Sequence, residues 1–439
     1  MKARFGAWLE KLGDQFWLRP AVVVLMSIAL AQAAVAFDRV SLSASDPASS
    51  AWGYSGGAEG ARSLLGAVAS STIGVAGTIF SITIAALSLA SGQMGPRLLR
   101  NFVRDSRNQI ALGIFLGTFA YALMVLRTVR TAQETPFVPH LAVTGAVGLA
   151  LACLGTLVWF VHHIAGSINV EKVIDAVHRD LCDAIDRGTL TDADLQPPVE
   201  LLDGMPVSVK ASNYLLALDR DTLADWAHEH AVAVRLKVRP GDYVPLGAPV
   251  AVISADVEGA AEVFERTLTF GHRPAALQDL EYSIRQLSEV AVRALSPGIN
   301  DPFTAGSVLE RFGDALCRIA PRFLPTGAVA RDGRIVLVHP VPTYRGLCDA
   351  MFHMIRQNGA GSGYVLIRLL EVIGRVAEVE RFTTRCDELR RHADLALAVG
   401  RAGVTDAAAL VDLEARHRAV LAGLGEHLPP GWPRRTTCA

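Results

Sequence analysis

The stretch ASSTIGVAGTIFSITIAALSLASG, residues 69–92, decides how this chain is read. It is apolar enough to cross a bilayer, yet it is dense in serine, threonine and glycine. On a helical wheel at about 100° per residue, Ser63, Ala67, Ser70, Gly74, Gly77, Thr78, Ser81, Ala85, Ser88 and Gly92 share a sector of about 100°. Ile73, Ile79, Phe80, Ile84 and Leu87 all fall outside it. The small polar surface is aimed, and two explanations compete for it. Small residues let membrane helices approach closely, with hydroxyls bridging neighbours. Alternatively, copies of the helix surround an axis and their hydroxyls line a wet pathway for ions.

The surrounding composition supports a membrane setting. Hydrophobic residues make up 51% of the 439, and the mean hydropathy is +0.31. Apolar runs at 20–37, 64–92, 110–126 and 141–164 each approach or exceed the roughly 20 residues that span the hydrocarbon. Four transmembrane helices are expected. Ala34-Val35-Ala36 resembles a signal-peptidase site, but Glu10 and Asp14 and the aromatics Trp8, Phe16 and Trp17 favour an uncleaved anchor. Lys2, Arg4, Lys11 and Arg19 precede the first run, and Arg97, Arg100, Arg104 and Arg107 follow the second. The positive-inside rule then puts both termini in the cytoplasm of a bacterial inner membrane.

Between Arg62 and Arg97 there is no ionisable side chain, which fits a passive pathway better than a proton-coupled pump. Arg97 and Arg100 would form a basic ring at a cytoplasmic mouth and favour anions, or would only mark topology and touch headgroups. A net charge of -1 gives no support to nucleic-acid binding. The six cysteines form no C-x-x-C pair and are expected to be reduced thiols.

From about residue 166 the chain changes character. A helical extension and proline-containing linker cover 166–204, a small β-rich, barrel-like module 205–268, a helical domain 269–425, and a tail 426–439. The fold class is thus an α-helical membrane domain (1–165) followed by a mixed α/β cytosolic domain. VRPGDYVPLGAPVA (238–251) resembles the half-motif of biotinyl/lipoyl-like barrels. Lys237 lies within a strand rather than a hairpin turn, so no attached cofactor is expected, and no other cofactor is indicated. Asp225, His228, Glu229 and His230 read as a solvated helix face rather than a metal site, since at most two of them share a side.

The text HRPAALQDLEYSIRQLSEVAVRALSPGINDPFTA (272–305) is the most distinctive in the chain. Gly298 suits a helix C′ position, Asp301 an N-cap and Pro302 the first helical residue. Together with the four spans and the RPGDYVPLGAPVA hairpin, it resembles a bacterial family of predicted membrane proteins, the domain-of-unknown-function 2254 family. That resemblance implies an integral inner-membrane protein and brings no activity or catalytic residue. His272, Arg273, Asp279, Arg293, Asn300 and Asp301 would, if gathered, bind a phosphate or another anion. The competing reading is a helix junction knitted by ion pairs. No nucleophile elbow, P-loop or HExxH signature is present, and no enzyme activity is expected.

The expected function is a homo-oligomeric channel or passive transporter for an ion or small anion. Ser70, Gly74, Thr78, Ser81, Ala85 and Ser88 would form its wall, Arg97 and Arg100 its mouth, with the cytosolic domain as cap. The alternative is a membrane-tethered sensor or scaffold whose cytosolic domain binds a ligand or partner.

Overall fold

A computed structural model of the chain describes residues 17–43, 54, 56–94, 106–130, 137–167, 169–192, 204–210, 212–272 and 279–426. The chain divides into two compact units, Met1–Asn169 and Val170–Ala439.

The first unit contains helices α1 (Leu18–Ser43), α2 (Ala58–Met94), α3 (Ser106–Leu126) and α4 (His140–Ser167). All four are long and apolar enough to cross a membrane. The most enclosed is α3, which packs against each of the other three. Its crossing with α1 uses GIFLG (113–117): a Cβ on Gly113 would press on Val23 at 3.1 Å, and one on Gly117 would strike the Ser27 hydroxyl. Small residues four apart permit this close approach. Buried Asp38, near the end of α1, accepts hydrogen bonds from the backbone N–H groups of Leu141 (3.1 Å) and Ala142 (2.9 Å). One carboxylate thus caps the N-terminus of α4, where orphan donors and the helix dipole favour negative charge. Tyr121 crosses from α3 to donate to the Ala142 carbonyl at 3.0 Å.

The second unit opens with α5 (Val170–Gly188), amphipathic through Ile174, Val177, Leu181 and Ile185. Strands β1 (Met205–Ser208), β2 (Asn213–Leu218), β3 (Val234–Leu236), β4 (Tyr243–Val244), β5 (Pro249–Ile253) and β6 (Leu268–Gly271) follow, with α6 (Arg220–Glu229) and α7 (Ala260–Thr267) between them. Helices α8 (Leu280–Ala294) and α9 (Pro302–Ile319) precede a hairpin, β7 (Ala328–Arg331) and β8 (Arg334–Val338). Four helices complete the described chain: α10 (Tyr344–Asn358), α11 (Gly363–Val379), α12 (Thr383–Gly403) and α13 (Ala407–Glu426).

The strands form two open sheets, ordered β1-β5-β3-β8-β7 and β4-β2-β6, and neither closes into a barrel among the described residues. The barrel-like expectation for 205–268 is not borne out around the RPGD turn. After it, β4 pairs with β2 rather than with β3, while β3 pairs with β5 and, in parallel, with β8. The β7–β8 hairpin, one strand of which is expected from GRIVLVHP (333–340) within the otherwise helical stretch, completes a sheet begun about 130 residues earlier at β1. Leu215, Leu223, Val234, Val250, Phe264 and Leu337 fill the core under these strands.

Parallel helices α5 and α9 lie side by side, joined by a ladder of polar rungs. Ser307 donates to Glu171 at 2.8 Å, Arg311 pairs with Asp175 at 2.8 Å, His178 with Asp314 at 2.9 Å, and Arg322 with Asp186 at 2.6 Å. These rungs are half-buried or exposed, and such pairs fix register more than they add stability.

Candidate functional site

Consider first the outer surface of α2. Its buried residues are Ala61, Leu65, Ala69, Thr72, Ala76, Ile79, Thr83 and Ala86, which recur every three or four positions and face the rest of the unit. The small-residue sector lies on the opposite side, roughly 180° away. Ser70, Gly74, Thr78, Ser81, Ala85 and Ser88 are all exposed, and a Cβ added at Gly74 or Gly77 would meet no atom within 4 Å. The stripe is therefore not what packs α2 within its own protomer. Its hydroxyls turn back on the helix: Thr78 donates to the Gly74 carbonyl at 3.2 Å and Ser81 to the Gly77 carbonyl at 2.9 Å. With their protons committed, these oxygens present lone pairs outward. Elsewhere the unit exposes bulk: Leu25, Met26 and Phe37 on α1, and Leu151, Leu154 and Val158 on α4.

Arg97 and Arg100, expected at a mouth beyond α2, lie outside the described residues, as does Arg273. The remaining members of the expected cytosolic cluster are not brought together. Asp279 caps the start of α8, whereas Arg293, Asn300 and Asp301 lie at or beyond its end, about 22 Å away at 1.5 Å per residue. His272 is exposed at the end of β6. Arg293 pairs with Glu289 at 3.8 Å. Asp301 caps α9, accepting from the N–H groups of Phe303 and Thr304 and from the Thr304 hydroxyl. The left-handed residue of this turn is Asn300, at φ 50°, and not Gly298. Asparagine tolerates that conformation, so the glycine is not needed for it.

Asp279 instead meets the RPGD turn. Its carboxylate pairs with Arg285 and accepts from the Glu281 N–H at 3.0 Å. Glu281 in turn holds Arg239 at 2.8 Å and Arg285 at 3.0 Å. Burial pushes the Asp279 carboxyl up from its ordinary value, with Arg285 opposing. Beside this knot opens a cavity of 280 Å³, whose walls carry Arg187 from α5, Arg220 from α6, Arg239 and Pro240 from the turn, and His339 beyond β8. Leu218, Leu280 and Val341 supply an apolar side. Burial, with Arg220 nearby, pushes the His339 imidazole below its usual value, which leaves it neutral near pH 7.

Two further groups have metal-ligating side chains within 4.8 Å of one another: His178, Cys182 and Asp314, and Asp349, His353 and His392. The i,i+4 pairs His178/Cys182 and Asp349/His353 are visible in the sequence, but their third members come from other helices. The first group coincides with a rung of the α5–α9 ladder. The second lies against Arg391, which pairs with both Asp349 and Glu388, and against Arg356, whose charge opposes a cation. On α6, Asp225 and Asp221 pair with Arg331, and His228 with Asp332, in the β7–β8 turn.

Comparison with known proteins places these features in a family. The family model described as "Predicted membrane protein (DUF2254)" matches residues 13–375. An "Uncharacterized protein MT1328" of Mycobacterium tuberculosis (strain CDC 1551 / Oshkosh) is 32% identical over 333 residues. "Uncharacterized protein Mb1321c" of Mycobacterium bovis matches to the same degree. Each match covers 72% of this chain and 64% of the relative, so the chain spans less than two thirds of these relatives' length. No solved structure matches. The chain belongs to the DUF2254 family of predicted membrane proteins.

Proposed function

We propose that this DUF2254 membrane protein is a homo-oligomeric channel or passive transporter of a bacterial inner membrane, its pathway lined by the outer face of α2. One observation carries the reading. The bulky apolar residues of α1 and α4 suit lipid, whereas the Ser70-to-Ser88 face of α2 is small, oxygen-bearing and turned away from its own protomer. Outward oxygens in hydrocarbon are unfavourable, and around a wet axis they would substitute for part of an ion's hydration shell. Arg97 and Arg100 follow this helix in sequence and would set charge selectivity at the mouth. The basic residues there and at the N-terminal end, lysines as well as arginines, support a cytoplasmic location for Val170–Ala439.

The test is ion flux through the purified full-length protein in liposomes, beside Ser81→Leu. Flux that the substitution abolishes while the oligomer persists supports a pore wall. Equal flux from both proteins refutes it.

A membrane-tethered sensor is the second reading, and the arginine-lined cavity of the second unit is the observation in its favour. In that case the α2 face would serve only to join copies, and Ser81→Leu would loosen the assembly without a change in conductance.

A further inference from the structure

We propose that the cavity between the end of α5, the RPGD turn and the start of α8 is a binding site for a small organic phosphate, whether or not the oligomer conducts. Its walls carry three arginines against one carboxylate, and that carboxylate, Asp279, is already held by Arg285 and a backbone N–H. Arg239 is fixed by Glu281 and forms a preset part of the wall. Arg187 and Arg220 differ: neither has an ion-pair partner among the described residues, and both are exposed.

Placement sharpens the point for Arg220. It is the first residue of α6, where the helix dipole presents its positive end, and it stands near His339. The N-termini of α6 and α8 also reach this wall, each capped by an aspartate, Asp219 and Asp279. A dianionic group would offset the excess of guanidinium charge on the wall, and guanidinium forks match phosphate oxygens.

The rest of the cavity limits the ligand. At 280 Å³ it is too small for a folded partner and too large for a halide, and it sits at the lower end of small-molecule sites. Leu280 and Val341 give one side an apolar surface, suited to a sugar or base attached to the phosphate. The same chemistry, a phosphate ester on an apolar body, is shared by soluble metabolites and by anionic lipid headgroups.

The experiment is calorimetric titration of the full-length protein in detergent with ADP, glucose 6-phosphate and short-chain phosphatidylglycerol, repeated for Arg187→Gln and Arg220→Gln. Because both arginines are exposed and have no ion-pair partner among the described residues, these variants should keep the parent Tm, which is checked first. Micromolar binding of ADP or glucose 6-phosphate, weakened about tenfold by each substitution, supports the site with a soluble ligand. Binding of the lipid alone, with the same arginine dependence, supports it with a headgroup as the source of phosphate. Absence of binding by all three at millimolar concentration, or affinities that neither substitution changes, overturns the proposal.

Discussion

Gly241 and Asp279 share one small volume: a Cβ on the glycine would overlap the aspartate's carboxylate. Gly241 also adopts φ 99°, in the region that side chains rarely occupy. Gly241→Ala would therefore add backbone strain and push Asp279 away from Arg285. The expected cost is about 2–4 kcal/mol, read as a lowered Tm in detergent. The change should also disorganise the cavity wall at Arg239, whose partner Glu281 belongs to the same knot.

A contrast between two faces of α2 tests which side packs within the protomer. Ala76→Leu places a larger side chain on the buried face and should destabilise the protomer by about 1–3 kcal/mol, the cost of an overpacked site, read as a lowered Tm. Ser81→Leu, on the exposed face, should leave protomer stability nearly unchanged and alter only the assembly or its flux. Equal destabilisation by the two would show that the outer face is not outer.

His392 gives the second unit a pH dependence of known sign. It is enclosed between α10 and α12, with Asp349, His353 and Arg391 around it and Phe352 against its ring. Burial, aided by Arg391, lowers its pKa to about 4. The unfolded chain takes up this proton near pH 6.5 and the folded chain does not, so stability falls as pH drops from about 6.5 towards 4. Between pH 7 and pH 5 the loss should be about 2 kcal/mol, followed by thermal melts across that range. His392→Gln should flatten this part of the profile.

The cap that α1 supplies to α4 is also testable. Asp38→Ala removes the acceptor for two N–H groups at the start of α4 and should cost about 1–2 kcal/mol. Asp38→Asn, which keeps an acceptor oxygen but loses the charge, should recover part of it. Tm in detergent distinguishes the three proteins.

What the sequence made legible was local or periodic. Asp301 and Pro302 act within four residues of themselves, so cap and first turn could be read directly, and the α2 stripe follows from spacing alone. The direction of that stripe could not be read, because it depends on which face α3 covers. The cytosolic cluster failed for a related reason. Asp279 and Asp301 flank one helix, and a straight 15-residue helix holds its ends apart. The cavity that does form draws Arg187, Arg220, Arg239 and His339 from four elements, with no spacing rule to connect them. The turn at 296–301 shows the limit of composition rules, since Asn300 rather than the glycine bends left-handed.

The parallel pairing of β3 with β8 has a bearing on how the chain can be made and cut. Between β5 and β8 lie about 80 residues, including α8 and α9, that must be synthesised before the five-stranded sheet gains its second edge. A ribosome-bound fragment ending at residue 320 would leave β3 with an unpaired side and Val234 and Leu236 partly uncovered. Expression boundaries placed between 254 and 334 should accordingly give aggregating products. An insertion tolerated by this protein would be found in the Asp332–Gly333 turn, at the tip of the hairpin, where both residues already adopt left-handed backbone and nothing crowds the glycine.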